Sequence, residues 1–311
     1  RILKNNIHHT AYNGIYLMGM PDNTIGSRGI YRGPGAEGSE GYNVRYTWNY
    51  TNRNLIAEND ISHVTLKADD GGAIYTYSAG KDNEIAYNQI HDIYSGVRGE
   101  NANVGSFGIY LDTGQSDDFK IHHNYLYNFN STSGMPMTIN GSRNVITDNT
   151  MVMDTVNFFV QFQAHNYNEA NVFERNTMIN HNPTSDRTIK VVSYYSNRVP
   201  YTPGMPLPPN SHVVRLRTNT TAPYTYGYFY YTFNPQLASS DHNTYYNASG
   251  KYNFYAHYEQ IENYVTVPDQ AEPQRTIYQK QWVPVNEWQT IPIKGTTLTY
   301  DVYSTFGILP S

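Results

Sequence analysis

Ile85-Ala86-Tyr87-Asn88-Gln89-Ile90 is one copy of a recurring pattern: an apolar residue, two variable residues, Asn, one variable residue and a second apolar residue. The pattern stands also at Ile2-x-x-Asn5-x-Ile7, Ile56-x-x-Asn59-x-Ile61, Ile121-x-x-Asn124-x-Leu126, Ile146-x-x-Asn149-x-Met151 and Phe173-x-x-Asn176-x-Met178, and a weaker copy, Ser240-x-x-Asn243-x-Tyr245, closes the series. The shortest intervals are 25 residues, from Asn124 to Asn149, and 27, from Asn149 to Asn176. That is about one turn of three short strands and three bends, because a strand rises roughly 3.3 Å per residue and each wall needs only about 4 or 5 residues. A helical repeat of this length would carry apolar residues every third or fourth position over ten or more residues, and these segments do not. The repeat predicts an all-β fold, a β-solenoid coil.

Asn has a physical reason to sit at such a bend. Its side chain tolerates left-handed backbone, and it can hydrogen-bond to the Asn of the next coil, so the asparagines are expected to form a ladder along the axis. A second strand per coil is visible at Gly14-Ile15-Tyr16-Leu17, Ala73-Ile74-Tyr75-Thr76 and Gly108-Ile109-Tyr110-Leu111, with a fainter one at Met137-Thr138-Ile139. Strand alternation points Ile15, Ile74 and Ile109 inward and Tyr16, Tyr75 and Tyr110 outward, where the tyrosines should stack as a column.

The totals agree with an elongated polar β-structure. Tyrosine reaches 31 of 311 residues and charged residues only 15%, which leaves little material for helices. A net charge of -5 and a pI near 6.1 provide no basic face for nucleic acid. No apolar run is long enough to span a membrane, and no signal peptide is visible. The absence of cysteine removes disulfides and thiolate metal sites. His8-His9, His122-His123, His63 and His91 lack a metal-ligand spacing, so neither metal nor cofactor is expected.

The pattern places the β-helix in residues 1–250, with loop insertions at about 20–42, 94–107 and 197–223. Residues 251–311, which include Trp282 and Trp288, read as irregular strands forming a cap over the last coils. The chain begins in mid-coil at Arg1-Ile2-Leu3-Lys4-Asn5, and this predicts that a preceding segment or another chain covers the first coil.

Function in a solenoid tends to sit where loops rise from a rigid wall. Two insertions flank Ala68-Asp69-Asp70-Gly71-Gly72-Ala73-Ile74-Tyr75 and Gly108-Ile109-Tyr110-Leu111-Asp112, two successive strands edged by carboxylates. These segments, the asparagine coils, and the later Asp241-His242-Asn243-Thr244-Tyr245-Tyr246 with Trp288 resemble right-handed parallel β-helix carbohydrate-active enzymes. Within these the chain is most similar to the group around glycoside hydrolase family 141, which includes α-L-fucosidase and xylanase activities. The resemblance covers roughly residues 1–250 and implies a secreted or extracytoplasmic glycoside hydrolase, acting on a polysaccharide or oligosaccharide, with Asp70 and Asp112 catalytic.

Such a reaction needs a carboxylic acid to protonate the leaving oxygen, and a carboxylate that acts as nucleophile at about 5 Å or as base on water at about 6.5–9.5 Å. Strands on adjacent coils lie about 4.8 Å apart. Asp70, however, precedes its strand and Asp112 ends the next, so straight strands in register would separate them. Either Asp69-Asp70-Gly71-Gly72 turns a corner, or Asp112 works with Asp92 or Glu100. Asp69, Tyr75, Tyr77, Tyr110, His91 and Glu100 are candidate substrate-binding residues, the tyrosines because an apolar pyranose face stacks on a flat ring. Two other readings stand beside this one. A lyase acting on a uronate-containing glycan would draw on Lys67, Arg98, Tyr110 and Asp117-Asp118. A structural or adhesive β-helix would bind glycans without cleaving them.

Overall fold

A computed structural model describes residues 1–19, 51–68, 70–77, 79–94, 105–112, 116–129, 134–164, 170–193, 199–206, 211–217, 223, 226–232, 237–260, 277–291, 293 and 297–308. The chain folds as a parallel β-helix with three long walls. The first sheet runs through Ile2–Leu3, Leu55–Ala57, Glu84–Ala86, Lys120–His122, Val145–Thr147, Asn171–Glu174 and Leu237–Asp241. The second runs from Asn6–His8 through Asp60–Ser62, Gln89–Ile93, Tyr125–Phe129, Thr150–Met153, Thr177–Asn180 and Thr244–Asn247 to Thr305–Gly307. The third contains Ile15–Met18, Gly71–Tyr77, Ser106–Asp112, Met137–Ile139, Val160–Ala164, Arg187–Ser193 and Asn253–Gln260, all parallel, and ends with Ile277–Pro284, which runs antiparallel.

Register explains the spacing of the apolar residues. Ile56, Ile85, Ile121, Ile146 and Phe173 stand opposite one another in the first sheet, and Ile61, Ile90, Leu126, Met151, Met178 and Tyr245 in the second. Ile15, Ile74, Ile109, Met137, Val160 and Ile189 do the same in the third. All three columns belong to one core that runs along the axis. A one-residue slip anywhere would turn an apolar column toward water, so the register of each coil is set by its neighbours.

The asparagine ladder forms as expected. Side-chain amides link Asn5 to Asn59 (2.8 Å), Asn59 to Asn88 (2.8 Å), Asn88 to Asn124 (2.9 Å), Asn124 to Asn149 (2.9 Å), Asn149 to Asn176 (3.0 Å) and Asn176 to Asn243 (3.3 Å). The backbone expectation needs correcting, because the left-handed residue is the one before each Asn. Lys4, Glu58, Tyr87, His123, Asp148, Arg175 and His242 have φ between 55° and 58°. The turn at that residue swings the following Asn inward, where its amide also reaches a carbonyl of the preceding coil, as Asn88 does to Ile56 (3.0 Å) and Asn124 to Ile85 (2.9 Å). A left-handed non-glycine residue costs roughly 1–2 kcal/mol, and neighbours on successive coils offset this by pairing. Lys4 faces Glu58, Arg53 faces Asp82, Asp118 faces Arg143 and Asp148 faces Arg175, while the rings of His9 and His63 and of Tyr87 and His123 stack.

A second asparagine set at another bend escaped the sequence pattern. Asn54 N–H donates to Asn83 Oδ1 (2.9 Å), Phe119 N–H to Asn144 (2.8 Å) and Asn144 N–H to Asn171 (2.9 Å), with Phe119 standing in the asparagine column.

Parallel pairing passes residue 250 without a break. Asn253–Gln260 extends the third wall and Thr305–Gly307 the second, so residues 251–311 supply coil strands as well as cover. Trp288 is buried against Phe254 (ring centroids 4.3 Å) and Tyr300 (5.1 Å). The ladder ends on the buried carboxylate of Asp301. It accepts hydrogen bonds from Asn243 (3.1 Å), Ser304 (2.7 Å), Ser240 (2.9 Å), Trp288 Nε1 (2.7 Å) and Tyr245 (3.2 Å). Burial pushes its pKa up even so. Within the 197–223 insertion, Val199–Tyr201 and Ser211–Arg217 pair antiparallel with Tyr226–Thr232, which extends the excursion past residue 223. The expected insertions at 20–42 and, apart from its edges, 94–107 lie outside the described residues. At the front, Ile2 and Ile7 are only partly buried against the core.

Candidate functional site

The two carboxylate-edged strands are neighbours on the third wall, with Gly71 opposite Ser106, Tyr75 opposite Tyr110 and Tyr77 opposite Asp112. Asp70 and Asp112 therefore sit at opposite ends of the paired segment. Strand alternation fails in its middle, since Ala73 and Ile74 both enter the core. Gly108 faces inward beside Ile109, and a methyl there would stand 2.8 Å from Leu126 Cδ2 and 2.9 Å from Phe129 Cζ. Two consecutive inward residues bend the wall so that it is concave outside, and Phe107 meets Tyr110 across the bend, ring centroids 4.7 Å apart. Tyr75, Phe107, Tyr110, Met135 and Phe158 fill this crease as a small cluster separate from the main core, with Tyr77 packed against it.

The outer tyrosine column forms, with Tyr16–Tyr75 and Tyr75–Tyr110 centroids both 5.1 Å apart, but the rings meet tilted (50°) and edge-on (74°) instead of stacked. Its exposure differs from the expectation. Tyr75 and Tyr110 are each only 6% exposed, whereas Tyr16 is 47% and Tyr12 41% exposed. The buried pair therefore has little ring face left for a sugar, and the open aromatic surface belongs to the first coil.

What the buried pair does is bind the two aspartates crosswise. Tyr75, from the coil of Asp70, donates its phenol to Asp112 Oδ2 at 2.7 Å. Tyr110, from the coil of Asp112, hydrogen-bonds to the side chain of Asp70. Asn140 Nδ2 on the next coil lies 3.5 Å from Asp112 Oδ1. Asp70 is exposed and left-handed at φ 55°, and Asp112 is half-buried. Burial, then Asp112, raise the pKa of Tyr75 far above the ordinary phenol value; burial, then Asp112 and Asp70, do the same to Tyr110. Burial also raises Tyr12 and Tyr16, reinforced at Tyr12 by Asp70, Tyr16 and Asp112 and at Tyr16 by Asp112. Tyr75 and Tyr110 thus hydrogen-bond to the two aspartate side chains, and burial together with the carboxylates keeps all four phenols protonated.

Tyr12 and Asn13 were not anticipated from the sequence. The Tyr12 phenol donates to the Asp70 carbonyl (2.8 Å), and Asn13 Oδ1 accepts the Gly72 N–H (2.9 Å). A methyl on Gly71 would stand 2.7 Å from Tyr12 Cε2 and 2.6 Å from Asn13 Oδ1, which explains glycine after Asp70. The available signal was Gly-Gly inside a strand, a mark of close approach by another chain segment.

His91 lies elsewhere. It sits on the second wall, with Nε2 on Asp60 (2.9 Å), Nδ1 on Asp92 (2.6 Å) and its ring stacked on Tyr127. Asp92, the alternative partner for Asp112, is bound into this separate group. Asp69 and Glu100 lie outside the described residues. Of the residues considered for a lyase, Asp117 and Asp118 are ion-paired to Arg143 at a bend, Lys67 is exposed and Arg98 lies outside the described residues. Among the described residues no group of three or more His, Asp or Glu could hold a metal ion, and no helix is long and apolar enough to cross a membrane. Comparison of the chain with family models, with curated proteins and with solved structures returns no match.

Proposed function

We propose that the chain is a glycoside hydrolase acting on a polysaccharide or oligosaccharide outside the cytoplasm, with Asp70 and Asp112 as its two carboxyl groups. The observation that carries this reading is the crossed pairing of Tyr75 with Asp112 and Tyr110 with Asp70, which ties carboxylates from two coils to one tyrosine pair. Asp112, which accepts from a phenol and lies beside an amide, is suited to work as a carboxylate. Asp70, on the other coil, is left with the acid's role of delivering a proton to the glycosidic oxygen. As the C1–O bond breaks, that oxygen takes the Asp70 proton and leaves as an alcohol. Asp112 either attacks C1, to be displaced by water afterwards, or takes a proton from the water that attacks; the anomer released distinguishes the two.

The phenols support hydrolysis over elimination. A lyase using Tyr110 as base needs the phenolate, and burial between two aspartates disfavours that form. Tyr12 and Tyr16 present ring faces on which a sugar stacks at the edge of the acid pair.

The test is release of reducing sugar from a panel of neutral and acidic polysaccharides by the wild type, Asp70→Asn and Asp112→Asn. Loss of about 10²–10⁴-fold in kcat for each variant is expected. Unchanged release by either overturns its assignment, and new unsaturated ends absorbing in the ultraviolet would establish a lyase instead.

A further inference from the structure

We propose that the bend joining the first and second walls carries a second, non-catalytic glycan-binding surface, on which Tyr87 and Tyr125 stack against a neutral polysaccharide chain. The two tyrosines belong to adjacent coils, those of Asn88 and Asn124. They are among the more exposed aromatics, at 55% and 42%. Both rings pack on neighbouring rings. Tyr87 stacks on His123 (5.0 Å, 26° between planes) and meets His122 edge-on (5.6 Å). Tyr125 stacks on Tyr127 (4.7 Å, 27°), which in turn stacks on His91 (4.8 Å, 10°).

The histidines are themselves tethered, His122 to Glu84 (3.1 Å) and His91 to Asp60 (2.9 Å) and Asp92 (2.6 Å). An exposed ring whose rotamer is already set loses little entropy when a ligand stacks on it.

A second observation is independent of exposure. Tyr87 is the one tyrosine among the described residues with positive φ, at 58°. A bulky residue there is a strained choice at a position that Lys4, Glu58, Asp148 and Arg175 fill on other coils.

The chemistry around the rings selects the ligand. The Glu84 and Asp60 side chains, 43% and 50% exposed, rim the surface with negative charge, which repels uronate-rich or sulfated chains and leaves carboxylate acceptors for sugar hydroxyls. A neutral polysaccharide meets these conditions. The surface lies apart from the Asp70–Asp112 site and does not depend on the hydrolase reading.

The experiment is native affinity electrophoresis of the whole chain in gels containing xyloglucan, arabinoxylan, galactomannan or polygalacturonate. The variants are Tyr87→Ala/Tyr125→Ala, Tyr87→Phe/Tyr125→Phe and Asp112→Asn. Wild type and Asp112→Asn should be retarded alike by at least one neutral polysaccharide. The double alanine variant should lose affinity about tenfold or more while keeping its melting temperature, and the double phenylalanine variant should retain most of the binding. Three results would each overturn the proposal: no retardation of wild type by any neutral polysaccharide, equal retardation of the double alanine variant, or retardation by polygalacturonate as strong as by the neutral chains. Retardation that disappears in Asp112→Asn would assign the binding to the other site and overturn it as well.

Discussion

Tyr75 and Asp112 stand on different coils, yet the phenol donates to the carboxylate at 2.7 Å. The contact follows from register, because Asp112 pairs with Tyr77, two residues beyond Tyr75 and on the same face. Tyr75→Phe keeps the ring between Tyr16 and Tyr110 and removes the donor alone. A hydrogen bond to a charged group contributes about 1.5–3 kcal/mol. If it orients Asp112 in the transition state, kcat falls roughly ten- to a hundredfold with KM little changed, and the melting temperature stays within a few degrees. Steady-state kinetics beside thermal unfolding checks this, and a full wild-type kcat would remove Tyr75 from the site.

Gly71 is tied to Tyr12 and Asn13 by space. Gly71→Ala places a methyl 2.7 Å from the Tyr12 ring and 2.6 Å from Asn13 Oδ1, so the first coil must shift. The expected cost is about 1–3 kcal/mol in urea unfolding, with a loss of activity as Asp70 moves. Adding Tyr12→Ala should recover part of the stability, and strict additivity of the two substitutions would show that the rings do not collide.

Position along the ladder should matter. Asn124 donates its amide to Asn149, Ile85 and His122, and accepts from Asn88 on both N–H and Nδ2. Asn124→Ala leaves buried backbone and amide groups unpaired, so a loss of about 3 kcal/mol or more is expected. Asn5, exposed at the first coil, should cost under about 1 kcal/mol when replaced by alanine. Equal midpoints for the two variants in urea would contradict a ladder that stabilises through burial.

Arg175 grips Asp148 with two guanidinium nitrogens, at 2.9 and 3.0 Å, and holds that carboxyl below its ordinary value of 3.8. Because folding lowers this pKa, the stabilisation is complete above about 3.8 and is lost as pH falls through the folded value. The side chains are 30% and 53% exposed, so solvent screening limits the effect to about 0.5 kcal/mol. Arg175→Gln should be less stable than wild type at neutral pH by about that amount, and the two should converge in strong acid. A gap that persists at low pH would assign Arg175 a role other than this pairing.

The asparagine coils were legible because their cause is periodic and local. An inward Asn between two inward apolar residues recurs wherever the chain crosses the same bend, and one sequence displays the whole column. The alternation of Ile and Tyr on the third wall was legible for the same reason. What sequence alone left open depends on contacts between coils. That the residue before each Asn is left-handed emerges only when the Asn side chain is seen turned inward. Phe119 standing in for an asparagine hides the second ladder from any pattern search. Asp301 closes the first ladder from 58 residues beyond Asn243, at a distance no local motif spans.

The candidate site divides along the same line. Asp70 and Asp112 were visible as carboxylates at strand edges, but alternation alone would have set them at opposite ends of a straight wall. The tertiary structure breaks alternation at Ala73–Ile74 and Gly108–Ile109 and folds the wall around a crease. That bend let Tyr75 and Tyr110 reach across coils to the two aspartates, and it turned the predicted sugar-stacking rings into buried donors. The periodicity of asparagine and the pattern of apolar residues determined the solenoid from sequence, whereas the bend, and with it the reach of Tyr75 and Tyr110 to the two aspartates, was decided by packing between coils.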